Sequence, residues 1–385
     1  MTEARAPRAW SDISLDLAGL VLRRLPAHVD RVRFAAVCPQ WRVAAREIPL
    51  PPPLPLLALP DGTVYSLPGS EPFRFPACKG YTDACGNWLA FSGDEGYFLR
   101  NPLSNATVKL PGRFRVLARH CGEQPVGEAG VTWKEMEKSP KRLTLCKTLF
   151  CSPQLVATFI RYQDKAHIAV CQPGAAAWWL EYVHCFSPFV DMVFHQGKLY
   201  VLEPSKDTLF AINISVDQET GDPWVSRVRQ IIKGRQYSSM HDFIMKMSHL
   251  VTSNGALLMV HRKMYCVCIN RHGTARVVPS GANKFEVFKA DIERSQWIKV
   301  ITIGDDQVLF LRRPCSRIFC VSQTDMPGDR IVFFENDDDD RYWYEKDSLN
   351  SCSAYDMKGC KVSAAPPLVS WKRGHVHAAW LFPEE

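Results

Sequence analysis

Apolar residues recur at the 3.6-residue spacing of a helix mainly near the start of the chain. Ser14 offers a helix cap, and the leucines and valines after it predict a first helix that ends near Pro26. A second apolar pattern runs from Val29 to Val37, and Pro39 precedes a short third helix that holds Trp41. About forty residues cannot bury a core large enough for stability alone. These helices therefore predict a docking module that shares apolar surface with a partner.

From Thr63 onward, short apolar runs alternate with turns that contain Gly, Asn or Asp, a pattern that predicts antiparallel hairpins. The predicted hairpins lie at 87–99, 192–202, 249–260 and 297–311, and a further strand follows Asp329. Repetition of such units over about 320 residues predicts a mainly β protein with a β-propeller, whose blade number stays open. Pairing of Thr63–Leu67 with Ala379–Phe382 would close the ring and leave the helices beside the seam.

Proline is concentrated between these two regions, in the sequence IPLPPPLPLLALP at 48–60. Because proline fixes φ and lacks an N–H, the segment predicts a semi-rigid spacer rather than a helix or an interior strand. A Pro-x-x-Pro ligand for an SH3-like partner is the alternative, although Leu54, Leu56 and Leu57 are typical of packing. The predicted domains are therefore 10–47, 48–60 and 61–385, with a polar loop near 113–147.

The helical module resembles an F-box, which docks on the Skp-type adaptor of cullin–RING ubiquitin ligases. The resemblance rests on the Val37-Cys38-x-x-Trp41 signature and the leucine-rich first helix, although Ile13-Ser14 stands where the family has Leu-Pro. An ordinary three-helix cap packed on its own domain is the alternative. The resemblance implies adaptor contacts from ten residues. They are Ile13, Leu17, Val21, Leu22, Leu25, Pro26, Val32, Val37, Cys38 and Trp41.

The remainder resembles the KIB-type β-propeller domain, formerly a domain of unknown function, of a large plant F-box family. Matching stretches include MVFHQGKLYVL at 192–202, HLVTSNGALLMV at 249–260 and GDRIVFF at 328–334. The two resemblances imply a substrate-recognition subunit of an SCF-type (Skp–cullin–F-box) E3 ubiquitin ligase, in which the propeller binds a target protein for degradation. The alternatives are an F-box scaffold that acts outside a ligase and an enzyme built on a propeller.

Composition narrows the function classes. The 11 Trp, 11 Tyr and 20 Phe exclude a wholly disordered chain. The net charge of +7 is mild for 385 residues, and its tightest basic group favours a solvated surface over a nucleic-acid footprint. That group is Arg227, Arg229, Lys233 and Arg235. Because no signal peptide and no run of about 20 apolar residues is recognisable, we expect no membrane contact and a protein of the cytoplasm and/or nucleus.

Candidate metal and thiol chemistry is sparse. None of the 14 cysteines forms a C-x-x-C pair, so Cys266, Cys268, Cys315 and Cys320 are expected to be reduced thiols. His375 and His377 could begin a metal site, but no third ligand is identifiable nearby. The run of aspartates at 337–340 lacks the alternating ligands of a calcium loop. We therefore expect no metal and no cofactor.

Catalytic motifs are missing too, since no G-x-S-x-G, P-loop or G-x-G-x-x-G occurs. Glu286, Asp291 and Glu293 fit a strand-and-turn pattern, although a glycosidase-like pair is set by space rather than by sequence. We expect a non-catalytic receptor subunit.

Adjacent aromatic residues at 178–179 and 342–344 are explained by packing between blades or by an exposed recognition surface.

Overall fold

The computed structural model describes residues 10, 13–93, 96–116, 130–132, 144–162, 165–182, 191–203, 206–234, 244–271, 274–279, 283–312, 315–335, 349–372 and 378–383. Three helices come first: α1 (Leu15–Arg23), α2 (His28–Val37) and α3 (Pro39–Glu47). The strands of the described ranges form six sheets, which are the six blades of a β-propeller. The predicted fold class is confirmed, and the blade number is new.

Blades 1 to 3 take up the first half of the chain, together with its end. Blade 1 holds β1 (Leu56–Ala58), β2 (Asp61–Ser66), β3 (Pro72–Lys79) and β29 (Ala379–Leu381). Blade 2 holds β4 (Asp83–Cys85), β5 (Trp88–Gly93), β6 (Gly96–Arg100) and β7 (Thr107–Lys109). Blade 3 holds β8 (Arg113–Val116), β9 (Gly130–Thr132), β10 (Thr144–Ser152), β11 (Leu155–Tyr162), β12 (Lys165–Cys171) and β13 (Trp178–Tyr182).

Blades 4 to 6 follow in chain order. Blade 4 holds β14 (Asp191–His195), β15 (Lys198–Glu203), β16 (Thr208–Val216) and β17 (Pro223–Ile232). Blade 5 holds β18 (Ile244–Ser253), β19 (Ala256–Arg271), β20 (Thr274–Pro279), β21 (Lys284–Asp291) and β22 (Gln296–Val300). Blade 6 holds β23 (Gln307–Phe310), β24 (Arg317–Cys320), β25 (Arg330–Phe334), β26 (Leu349–Asp356), β27 (Lys361–Ala364) and β28 (Ser370–Lys372). Strands β4, β10, β14, β18 and β24 contact one another in that order.

The strand that closes the ring with the end of the chain is β1, one strand before the predicted segment. Strand β29 pairs with β1, through Leu57 and Trp380, whereas Thr63–Leu67 lies in and beside β2. The predicted spacer at 48–60 therefore ends inside blade 1. The segment is rich in proline as a whole, which predicted a spacer. The stretch between Pro55 and Pro60 contains no proline, however, so its N–H groups can join a sheet. Packing of Leu54, Leu56 and Leu57 is confirmed, since all three are buried.

Three of the predicted hairpins are confirmed. They are β5–β6, β14–β15 and β18–β19. The tips at Gln196-Gly197 and Asn254-Gly255 have positive φ at both residues, as a two-residue hairpin turn requires. The hairpin predicted at 297–311 is wrong, because β22 belongs to blade 5 and β23 to blade 6. A crossing between blades shows the same apolar–turn–apolar pattern as a hairpin.

The polar loop predicted near 113–147 is corrected as well. Strands β8 and β9 and the start of β10 lie within that range, while 117–129 and 133–143 lie outside the described residues. Strand β8 pairs in parallel with β13, with Phe114 opposite Trp178. Because β13 lies more than sixty residues further along the chain, local sequence carries no signal of this pairing. Trp178 is fully buried, and Trp179 packs on the core between blades 3 and 4.

Candidate functional site

The Val37-Cys38-x-x-Trp41 signature builds the joint between α2 and α3. Cys38 has an extended backbone, and its Sγ accepts a hydrogen bond from the Trp41 N–H at 3.4 Å, which caps α3. Pro39 follows at the first turn, where a missing N–H costs nothing. The Trp41 ring stacks on Phe34 of α2, with 4.3 Å between ring centroids. The signature therefore has a structural role inside the module.

Ser14, which stands where the F-box pattern has proline, precedes the first residue of α1. The Ser14 Oγ accepts a hydrogen bond from the Leu17 N–H at 3.5 Å, and Ser14 has the extended backbone of an N-cap. Asp16 in the first turn adds a negative charge at the positive end of the helix. Serine thus caps this helix at the position where the F-box pattern has proline.

The ten predicted adaptor contacts divide into three groups. Leu22 is fully buried in the core of the module, where Ala18, Phe34 and Ala44 surround it. Five others are partly buried: Ile13, Leu25, Pro26, Cys38 and Trp41. Four are exposed: Leu17, Val21, Val32 and Val37. Leu22, Leu25 and Trp41 pack in the core of the module, whereas the exposed group is free to meet a partner.

Helix α1 is apolar on two opposite sides. Ala18 and Leu22 point into the core, whereas Leu17 is 54% exposed, Leu20 51% and Val21 37%. At about 100° per residue, Leu17 and Leu20 lie on the side of the helix opposite Leu22, and Val21 lies between the two sides. Leu20 was missing from the predicted contacts, as were the exposed Leu15 and Val43. A helical projection of the sequence would have found Leu20, since it lies one turn from Leu17.

The helical module is fixed to the propeller rather than held at a distance from it. The Leu54 N–H donates to the Pro26 carbonyl at 2.9 Å, and the Val29 N–H donates to Ser66 Oγ of β2 at 3.3 Å. The Arg31 guanidinium donates to the carbonyls of Leu25 and Pro51, at 2.8 and 2.6 Å. Because Leu54 also belongs to the core between blades 1 and 6, the spacer prediction is wrong.

Buried charges tie neighbouring blades together. Lys147 of blade 3 donates to Asp191 Oδ1 of blade 4 at 2.6 Å, and Asp191 Oδ2 accepts the Leu250 N–H of blade 5 at 2.7 Å. Asp207 of blade 4 contacts Lys246 and the buried His261 of blade 5, at 2.9 and 3.3 Å. Burial opposes ionisation of Asp207, but hydrogen bonds from His261 and Lys246 outweigh it and lower the pKa of its carboxyl group. These contacts link blades 3, 4 and 5, and Asp191, Asp207 and His261 are buried within them.

Within the described ranges, the remaining candidate metal ligands, thiols and basic residues are not gathered into one site. Among the described side chains, no group of three or more His, Cys, Asp or Glu is placed to hold a metal ion. Burial raises the pKa of Cys78 and Cys151 to about 12 and that of Cys315 to about 11, so these thiols are poor nucleophiles.

Arg227, Arg229 and Lys233 are exposed along and just after β17. The aspartates at 337–340, the aromatic residues at 342–344, Arg235, His375 and His377 lie outside the described residues.

Glu286, Asp291 and Glu293 are not brought together as a catalytic pair. Glu286 instead lies between Lys263 and Lys299, and Asp291 accepts the Arg294 N–H at a turn. Of the helices in the described ranges, none has the length and apolar character needed to cross a bilayer.

Comparison with known families agrees with this architecture. The family described as KIB1-4 beta-propeller matches residues 56–356, which begin at the first residue of β1. The match covers most of the chain and leaves the helical module outside. A comparison with curated proteins finds no match.

Proposed function

Because this chain belongs to the KIB1-4 beta-propeller family, we propose that it is the substrate-recognition subunit of an SCF-type E3 ubiquitin ligase. In this proposal the three helices are an F-box that docks on a Skp-type adaptor, and through it on a cullin–RING ligase. The propeller binds a target protein. A β-propeller of this family fits a protein-interaction role. The proposed role in an SCF-type ligase rests on the three helices.

The exposed apolar side of α1 is the observation that carries the proposal. A helix that is apolar on both sides is normally buried on both. Here the module covers only the side that contains Leu22, and Leu17, Leu20 and Val21 stay in water. Covering two half-exposed leucines would contribute about 1 kcal/mol each from apolar burial. An adaptor groove that takes up this side would supply the missing cover.

The mechanism in this proposal is proximity. The adaptor fixes one end of the receptor and the propeller fixes the target, which raises the effective concentration of a target lysine near the ubiquitin carrier. The contacts of Pro26 with Leu54 and of Val29 with Ser66 would set that distance. No residue of this chain performs chemistry in the scheme. We propose the cytoplasm and/or nucleus as its location, where the buried thiols stay reduced.

Binding of a purified Skp-type adaptor tests the proposal. Leu17→Glu and Leu20→Glu should each weaken adaptor binding at least tenfold, because each places a charge in a desolvated interface. Ile298→Glu is the matched control, since Ile298 is similarly exposed on β22 of the propeller. Variants of Leu25 or Trp41 would be less informative, because both side chains pack on the core of the module. Wild-type affinity in both α1 variants would exclude this docking face.

Cullin co-assembly distinguishes the ligase from a scaffold. A complex of chain, adaptor and cullin supports the receptor, whereas adaptor binding without cullin favours an F-box scaffold that acts outside a ligase. The scaffold alternative would gain support if serine in place of the proline of the F-box pattern weakened α1. The cap that Ser14 provides for α1 argues against this weakening.

A further inference from the structure

A cavity of about 160 Å³ lies where the helical module, blade 1 and blade 6 meet. Pro26 comes from the module, Leu54 and Pro68 from the segments beside β1 and β2, and Val332 and Ala354 from blade 6. We call it the junction cavity. An apolar cavity of about 150 Å³ holds one benzene ring. The space therefore fits one six-membered ring or a branched chain of similar size.

The walls of the junction cavity resist collapse. Its lining includes four prolines, whose φ is fixed: Pro26, Pro68, Pro327 and Pro366. It also includes three alanines, which have no rotamers that could fill space: Ala354, Ala364 and Ala365. Leu54 is buried, and its N–H is bonded to Pro26. An occupant would therefore enter a largely preformed site.

One charged side chain of the lining lacks a complete set of partners. The Nε of Arg330 is buried and has no hydrogen-bond partner within the part of the chain that the structure describes. Its Nη2 is 3.8 Å from Asp356 Oδ2, which is too long for a hydrogen bond. Asp356 Oδ1 already accepts the Gly359 N–H at 2.6 Å. Asp325, the other charged group of the lining, is exposed.

We propose that the junction cavity binds a small carboxylate that carries one apolar ring or branched chain. The apolar part lies against Leu54, Val332 and Ala354, and the carboxylate accepts hydrogen bonds from Arg330. Hydrogen bonds between ionised partners are roughly twice as strong as neutral ones. Because Pro26 of the module also lines the cavity, an occupant contacts the module as well as the propeller, and its binding stabilises the joint between them. This site goes beyond adaptor docking and does not depend on it.

Benzoate and its neutral isostere benzamide are suitable probes. Each is titrated into the full chain by calorimetry, and the melting midpoint is recorded with and without it. We expect saturable 1:1 binding of benzoate, binding of benzamide that is at least tenfold weaker, and a higher midpoint with benzoate. Ala364→Leu fills the cavity and Arg330→Met removes the charge, so each should weaken benzoate binding at least tenfold. Arg74→Met is the matched control, because it also removes an Arg–Asp contact but does not line the cavity.

Three results would overturn the site. They are no saturable benzoate binding, equal binding of benzamide, and wild-type benzoate affinity in Ala364→Leu. Ala354→Val is a smaller filling of the same cavity, and it replaces Ala364→Leu if circular dichroism shows that variant to be unfolded. Adaptor binding is measured on the same variants. Loss of benzoate binding with intact adaptor binding separates this site from the α1 face.

Discussion

Asp191→Asn tests how the blades are held together. The Asp191 side chain is 0% exposed and that of Lys147 only 6%, and their charged groups are 2.6 Å apart. Asparagine has nearly the same shape and keeps an oxygen for the Leu250 N–H, but it leaves the Lys147 ammonium without its counter-charge. Removing one partner of a buried ion pair costs about 3–5 kcal/mol. That is a large fraction of the roughly 5–15 kcal/mol that stabilises a folded domain.

The expected shift in the melting midpoint follows from the size of the chain. A chain of 385 residues has an unfolding entropy of about 0.8 kcal/mol/K, so the loss corresponds to about 4–6 °C. Differential scanning calorimetry measures this shift. Addition of Lys147→Met to Asp191→Asn removes the stranded charge and should restore at least half of it.

The pair formed by Lys358 and Asp305 is the control, because it has the same 2.6 Å separation but is 67% and 81% exposed. Asp305→Asn should leave the midpoint unchanged, since solvent screens exposed pairs. An Asp191→Asn variant that melts like the wild type would show that this pair does not hold the blades together. A double variant less stable than Asp191→Asn alone would show the same.

Three further predictions concern other contacts. Burial opposes ionisation of Glu286, but Lys263 and Lys299 outweigh it and lower its pKa from 4.5 to about 2. Ionised Glu286 therefore contributes stability above pH 4.5, and this contribution is lost as the pH falls towards 2. The free energy of unfolding of Glu286→Gln should therefore fall less steeply over this pH range than that of the wild type. Cys38→Ser should keep or strengthen the cap of α3, whereas Cys38→Ala should increase hydrogen exchange at α3 amides, because serine is the better acceptor. Trp380→Ala should cost about 3–5 kcal/mol and expose β1 and β29 to proteolysis, since Trp380 is fully buried at the ring closure; wild-type protease resistance would contradict this role.

Local patterns located most of the elements. Helix signals near Ser14 and Pro39 mark the starts of α1 and α3, and the Asn254-Gly255 turn marks the tip of β18–β19. These signals lie within a few residues of the feature that they predict, because caps and turns are contacts between near neighbours. The mainly β propeller followed from repetition of such units.

The candidate site was only partly readable from the sequence. Leu17 and Leu22 are both leucines at helical spacing, and nothing local says which of them α2 and α3 will cover. The fold buries Leu22 against Phe34 and leaves Leu17 in water. Trp41 looked like a contact residue, yet it stacks on Phe34 inside the module. The junction cavity gave no sequence signal, because its walls come from residues as distant as Pro26 and Pro366.

By itself, then, the sequence determined the helical module, the tight hairpins and the repeated β character of the chain. Tertiary structure decided the six blades, the pairing of β1 with β29, the separation of β22 from β23 and the side of α1 that remains exposed. The physical reason is the separation along the chain over which each kind of interaction acts. Periodicity and turn chemistry act between residues a few positions apart, whereas strand pairing and burial depend on which distant segments meet when the ring closes.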